Sequence, residues 1–521
     1  MRDLNDLLLF IAVVTPVVVL ARTWRAAALN RGLRIAAVAV LSICAGAWAF
    51  APRVAGFVGG GAWLLLLFLP AAALRRAAKL SAQHRFGAAA QLLDLLTPLQ
   101  PSRALREQAR LLRAIAVAQR GERVASLATL DELARGKSHL SRQAEAQRFR
   151  IAGEWEGLLA WSTRNLPPVG VGDDPTLLPL YFRALGELGF RDELVVQFAG
   201  RAHALLGSLN HQRVYLESLA VLFAFCGRSA ALTNLFANQL RHLPDDLQEF
   251  WLATSEAAAG EFAASRMRLE RLRASTSDAL LRGDADQRLA RRGQLPPLPL
   301  SAASEASVAR VERTAADPAS GWDSSQKIKT TPAVSTLIAL NLLMFAVEML
   351  LGGSTNTDTL KSLGGLEPIA VFFGGQYWRM IAALFLHYGP IHLLFNLYAL
   401  YVLGPALEQW IGTARFTIAY LLSGIGSSAG VLLLWRIGLT QADLLVGASG
   451  SIMGIVGSWA GVLLAHRRAP VARQRLMNIA FIVVLQTAFD FYTPQVSMAA
   501  HLSGFASGFV IGIFVRPKDA P

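Results

Sequence analysis

The sequence predicts an all-α, polytopic membrane protein with a large helical domain between its membrane-spanning ends. Three observations lead there. Of 521 residues, 53% are hydrophobic and only 17% charged, and the apolar residues gather at the two ends in uncharged runs. Those runs are long enough for a hydrocarbon core that takes about 20 helical residues to cross. Residues 75 to 330 carry most of the charge, and their leucines and alanines recur at spacings of three and four, the period of a helix.

The first 74 residues hold three candidate spans, at about 5–21, 34–51 and 55–74. The leader Met1 to Asp6 carries one Arg and two Asp, and two further apolar runs follow closely. A retained anchor is therefore expected rather than a cleaved signal peptide. The net charge of +14 flanks apolar runs, as in Arg22, Arg25, Arg31 and Arg34, or Arg75, Arg76 and Lys79. It reads as a topology signal rather than a nucleic-acid surface. The segment between the first two spans is then cytoplasmic, the turn at Pro52–Arg53 external, and the domain after residue 75 cytoplasmic. Cys44 and Cys226 suggest neither a disulfide framework nor a thiolate metal site.

Residues 75–290 read as helices throughout. Gly121, Gly153, Gly189, Gly227 and Gly260 each sit beside a charged or aromatic residue ahead of an apolar helix, at spacings of 32, 36, 38 and 33. This resembles the helix–turn–helix period of tetratricopeptide arrays, about 34 residues. A tetratricopeptide-like α-solenoid is expected, with an irregular helical domain as the alternative. Its concave surface would suit protein or peptide partners. Residues 291–330, with Pro296, Pro297 and Pro299 and no periodicity, read as a linker.

Residues 331–517 hold six further spans, at about 332–351, 390–409, 413–436, 449–466, 473–490 and 499–516. The basic residues Lys327, Lys329, Arg415, Arg467, Arg468, Arg473, Arg475, Arg516 and Lys518 all fall on one side of such a bundle, the side of the helical domain. Polar residues inside spans then converge on the opposite, outer level, where Ser449 and His501 begin the fourth and sixth spans. His392 and Asn396 lie in the first turns of the second. Buried polar groups in a bilayer are costly and mark function. A serine hydroxyl becomes a nucleophile when an imidazole takes its proton, and Ser449 with His501 is the pair of that kind found among the spans. His392 and Asn396, four residues apart on one helix face, both donate toward a developing oxyanion. Small residues in Gly447-Ala448-Ser449-Gly450 and at Gly504 and Gly508 allow two helix backbones to approach.

These residues resemble the rhomboid family of intramembrane serine proteases. The motifs are Gly447-Ala448-Ser449-Gly450, His501 with Gly504 and Gly508, His392-Leu393-Leu394-Phe395-Asn396, Trp378-Arg379, and Gly404 with Glu408 and Gly412. The resemblance implies a six-helix bundle, cleavage of a substrate's transmembrane helix near its outer end by a Ser449–His501 dyad, and no metal or other cofactor. It also implies that the last loop and fifth helix gate substrate entry. Where many members place an aromatic residue four positions after the serine, this chain has Met453. Trp378 and Arg379 read as support for their loop, Glu408 as a cap or tether for its own helix end, and His387 as an interfacial residue. Ser451, Ser503 and Ser507 read as packing or capping serines. Two rival readings are a non-catalytic relative that binds membrane clients and an adaptor in which the helical domain carries the function. A bacterial inner membrane suits the charge pattern.

Overall fold

A computed structural model describes residues 2–23, 31–165, 175–206, 211–290, 299–316, 331–441, 443–465, 470–492 and 497–515. Among them every regular element is a helix, apart from one isolated antiparallel bridge between Leu366 and Leu445. The chain divides into two compact units, residues 1–205 with 210–320, and 321–521 with 206–209.

The first unit opens with α1 (Arg2–Thr23), α2 (Arg31–Phe50), α3 (Ala55–Trp63) and α4 (Leu69–Ala82), in which α1, α2 and α3 pack on one another. Asn5 at the start of α1 accepts a hydrogen bond from the Gly56 amide at 2.8 Å, which ties that end of α1 to the α2–α3 turn. A π-helical turn, Leu64–Phe68, joins α3 to α4 and makes one 28-residue apolar helix, Ala55–Ala82. The widened turn has a local cause. Pro70 has no N–H for the Leu66 carbonyl four residues back, and a proline ring crowds that carbonyl. The Gln100 side-chain amide donates to it instead, at 3.2 Å. The helix then runs straight into the charged region, so the third span is longer than the apolar run alone indicates.

The helical domain follows as α5 (Phe86–Leu96), α6 (Arg103–Gln119), α7 (Arg123–Ala134), α8 (His139–Ala152), α9 (Trp155–Asn165), α10 (Leu178–Glu187), α11 (Arg191–Leu206), α12 (Gln212–Phe225), α13 (Ser229–Ala237), α14 (Asp245–Ala258), α15 (Phe262–Ser275), α16 (Ala279–Ala290) and α17 (Ala302–Ala316). The five glycines picked out by spacing all occupy the left-handed region, with φ of 95°, 71°, 82°, 70° and 89°. Each ends a helix with one bonding pattern, in which the residue after the glycine donates to the carbonyl five positions back. Glu122 to Val117 and Glu154 to Phe149 are two instances, at 3.2 and 3.0 Å. That closure satisfies carbonyls a helix end leaves open, and only glycine enters it without strain.

Two features depart from an open array in which each repeat touches only its neighbours. Helix α16 reaches back across the domain: Gln119 donates to Asp278 just before it, Arg183 pairs with Asp284 at 2.7 Å, and Arg288 pairs with Glu187 at 2.9 Å. Residues 302–316, assigned above to the linker, form α17. Val308 is fully buried in the domain core, Ser301 caps onto Asp192 at 2.7 Å, and Arg228 pairs with Glu305. Val311 and Ala315 pack against the same core, so a short stripe at helical spacing, together with the polar anchors, docks the helix. The rest of the predicted linker, 291–298 and 317–330, lies outside the described residues.

The second unit contains α18 (Pro332–Leu350), α19 (Thr357–Ser362), α20 (Pro368–Phe372), α21 (Arg379–Ala382), α22 (Pro390–Ile411), α23 (Thr413–Arg436), α24 (Ser449–Ala465), α25 (Pro470–Tyr492) and α26 (Met498–Phe514). Six of these match the predicted spans, and α19–α21 fold the long first loop. Helix α24, built largely of glycine, serine and small apolar residues, lies at the centre and packs on α22, α23, α25 and α26. A one-residue turn at Gly412, φ 88°, joins α22 to α23.

Candidate active site

The closest helix pair in the unit, α24 with α26, is held by backbone against backbone. A Cβ on Gly504 would lie 2.2 Å from the Gly450 carbonyl oxygen, and one on Gly508 1.9 Å from that of Gly454. Gly457 faces Phe505 and Gly461 faces Phe509 in the same way. The residue numbers rise together, so the two helices run parallel and in register, with their N-terminal ends level. Ser449, partly exposed, is the first residue of α24. His501, 5% exposed, lies in the first turn of α26. Ser427 of α23 reaches the same level and donates to the Ala500 carbonyl at 2.7 Å.

The chain arrives at Ser449 through a loop fixed at several points. Leu366 and Leu445 exchange two backbone hydrogen bonds of 2.9 Å, and the Gly447 amide donates to Ala383 at 2.9 Å. Gly447 has φ of 128°, and a Cβ there would lie 2.8 Å from Cε1 and 2.9 Å from Nε2 of His392, and 3.6 Å from Nδ2 of Asn396. Glycine is thus required both by conformation and by the close approach of those two side chains. Asn396 is 7% exposed, and its Nδ2 donor has no partner among the described residues. Such a buried, unmade donor is costly and marks a place where another acceptor belongs. The first amides of α24 also lack intrahelical acceptors, and the helix dipole favours negative charge there.

Around this level the remaining sequence-selected residues hold the frame. Arg379, 8% exposed, donates to the carbonyls of Lys361 and Gly365 at 2.7 Å each and to Gln376 at 2.6 Å, and so closes the first loop. Trp378 covers Gly364, where a Cβ would meet its ring at 2.2 Å. Glu408 does more than secure its own helix: its carboxylate accepts from the Ala333 and Val334 amides at 2.9 Å each and from Thr413 at 2.9 Å. It caps the N-terminus of α18, where free amides and the helix dipole favour an anion. Gly404 lets α18 approach α22, for a Cβ there would lie 2.6 Å from Val334. Ser451, Ser503 and Ser507 lie against Gly424, Gly430 and Gly426 of α23. Met453, in the position where an aromatic was noted as usual, is 7% exposed in the core of α24.

His387 corrects the interfacial reading. It is fully buried, with its ring edge-on to His392 at 5.3 Å between centroids and its amide donating to Glu348 of α18 at 2.9 Å. The chain passes inward between α18 and α22 there before α22 begins.

Two residues outside the sequence-derived set join the site. Asp490 of α25 places Oδ2 2.7 Å from Nδ1 of His501, and Gln486, one turn earlier, donates to Asp490 Oδ1 at 2.8 Å. The available signal was a carboxylate at the end of an apolar run, where an ionisable group has a default functional meaning. Among the described residues no group of three His, Cys, Asp or Glu side chains is placed to hold a metal ion.

Fold and site together define a polytopic helical membrane protein with a serine and a histidine at one end of a tightly paired helix couple. In the C-terminal region, residues 374–518 match the family model of the rhomboid domain. Over 172 residues the chain is 34% identical to rhomboid protease GluP of Bacillus subtilis, covering 33% of this chain and 32% of that protein. It is 33% identical over 198 residues to the mitochondrial RHOMBOID-like protein 6 of Arabidopsis thaliana, covering 36% and 62%. With the putative rhomboid protease YdcA of B. subtilis it shares 29% identity over 195 residues, 37% of this chain and 92% of that one. The matched stretch therefore covers about a third of GluP and under two thirds of RHOMBOID-like protein 6.

Proposed function

We propose that the protein is an intramembrane serine endopeptidase that cleaves transmembrane helices of membrane-protein substrates near their outer end. Ser449 is the nucleophile, His501 the general base, and His392 with Asn396 the oxyanion donors. The observation that carries this reading is the contact of Gly450 with Gly504, which brings the first residue of α24 level with the first turn of α26. In the reaction Ser449 Oγ attacks the scissile carbonyl while its proton passes to His501 Nε2. The oxyanion takes hydrogen bonds from Asn396, His392 and the first amides of α24. The intermediate collapses, His501 protonates the leaving amine, and a water activated by His501 hydrolyses the Ser449 ester. Ser449→Ala and His501→Ala should each abolish both substrate cleavage and labelling by a fluorophosphonate while the protein still folds. A Ser449→Ala protein with full activity refutes the assignment.

The charge pattern supports a bacterial inner membrane location with the helical domain and C-terminus cytoplasmic. Cysteines placed at Arg53 and Arg76 should be labelled by an impermeant reagent from outside and only after lysis, respectively; the reverse pattern overturns this orientation. The helical domain is read as tetratricopeptide-like and as a docking site for a peptide that ends in a carboxylate. Its groove is lined by apolar side chains and by polar ones that include Gln143, Gln147, Arg150, Arg183, Arg213 and Glu217. Arg213 pairs with Glu217 at 2.7 Å, whereas Arg150 donates to the Gln147 amide oxygen at 3.3 Å and makes no salt bridge among the described residues.

A further inference from the structure

The two-residue reading of nucleophile and base leaves the best-formed polar contact of the site without a task. We propose that Asp490 is the orienting carboxylate of a Ser449–His501–Asp490 triad, a positioning residue that holds His501 with its proton on Nδ1 and Nε2 bare toward Ser449. The proposal rests on the protease reading and adds to it a third residue from a third helix.

Its basis is the chemistry of the contact. An ionised carboxylate only accepts, so across the 2.7 Å separation His501 Nδ1 is the donor. A neutral imidazole carries one N–H, which leaves Nε2 as the acceptor a serine hydroxyl requires. The distance lies in the range of charge-assisted hydrogen bonds. Both side chains are shielded, at 6% exposure for His501 and 1% for Asp490, so water cannot replace either partner without opening the helices. The carboxylate is itself held, since Oδ1 accepts from Gln486 at 2.8 Å on the same face of α25. A buried carboxylate is tolerable only with such partners, and here they fix its direction as well as its charge.

The consequence for the reaction is electrostatic and orientational. When Ser449 Oγ bonds to the scissile carbon, its proton moves to Nε2 and His501 becomes an imidazolium. Asp490 stays ionised and stabilises that cation through the Nδ1–H bond. No proton passes to the carboxylate, and the one taken from Ser449 leaves again on the departing amine. A bare dyad would have only the remaining packing to set the ring's tautomer and angle. Helix α25 thus belongs to the catalytic frame through one side chain, and the base is set from α25 and the nucleophile from α24.

A rival explanation makes the contact a strut between α25 and α26. The two differ in what they predict for the near-isosteric Asp490→Asn in the full-length protein in bilayers. A triad predicts a fall in kcat of roughly 10²- to 10⁴-fold with KM changed little, and an equal fall in fluorophosphonate labelling of Ser449. Asp490→Glu should keep more activity than Asp490→Ala. In protein labelled with ¹⁵N-histidine, a far-downfield Nδ1 proton should be present in wild type, absent in His501→Gln, and shifted upfield in Asp490→Asn. Wild-type kcat in Asp490→Asn, or a loss of kcat and KM that merely follows a lowered melting temperature, overturns the triad. If wild-type protein neither cleaves nor labels at Ser449, the protease reading fails instead; the Nδ1 resonance then still decides whether Asp490 sets the tautomer, and its absence sinks that claim too.

Discussion

At the scale of one side chain, the proposed oxyanion role of Asn396 rests on an unmade hydrogen bond. Its Nδ2 is buried beside Gly447 with no acceptor among the described residues. A donor left unmade costs about 1–3 kcal/mol, and an oxyanion formed two residues further along, at Ser449, would recover that energy in the transition state alone. Asn396→Ala is therefore expected to lower kcat by roughly 10²-fold or less, since His392 and the α24 amides remain. Steady-state kinetics should show KM nearly unchanged, and a purely KM effect would remove Asn396 from this role. Ser449, His501, His392 and Asn396 could be proposed from sequence because a polar residue in an apolar span stands out one at a time. Asp490 was not, because it closes its span, where a charge also marks an ordinary boundary; only the three-dimensional neighbourhood of His501 separates the two meanings. His387 was misread for a related reason, since sequence places it between spans while the chain folds it inward.

Among the elements, the α24–α26 pair bears the largest demand on packing. Its glycines touch carbonyl oxygens directly, so no side chain can enter without separating the two backbones. Overpacking of a filled interface costs about 1–3 kcal/mol, more where backbone must move. Gly508→Val, well below the level of Ser449, should lower thermal stability and, by spreading the helices, reduce labelling of Ser449. A variant as stable and as reactive as wild type would show that the contact is not what aligns the pair. The glycine spacing made this pairing readable from sequence. Helix α17 was missed because its apolar stripe, Val308, Val311 and Ala315, is short and follows a proline-rich stretch, while its polar anchors lie more than seventy residues away. Local period records what a helix presents to a core, and the stripe that α17 presents is only three residues long.

For the whole molecule, the glycine spacing in sequence corresponds to five left-handed helix-ending turns, while the return of α16 was hidden in ion pairs such as Arg183–Asp284, about a hundred residues apart in sequence. The domain's groove contains Arg150, an arginine with no salt bridge among the described residues. Peptides with a free C-terminal carboxylate should bind the full-length protein, amidated versions should bind at least tenfold more weakly given the strength of charge-assisted bonds, and Arg150→Ala should erase the difference. Equal binding of both peptide forms, read by fluorescence anisotropy, would remove the carboxylate from the recognition.

The central claim is that Ser449, activated by His501, cuts a peptide bond inside the membrane. It is tested most directly by reconstituting wild-type and Ser449→Ala proteins in liposomes with a transmembrane-helix reporter and following the fragments by mass spectrometry. Wild type should release a fragment cut near the outer end of the reporter helix, and Ser449→Ala should release none. The same fragment from both proteins would contradict the account.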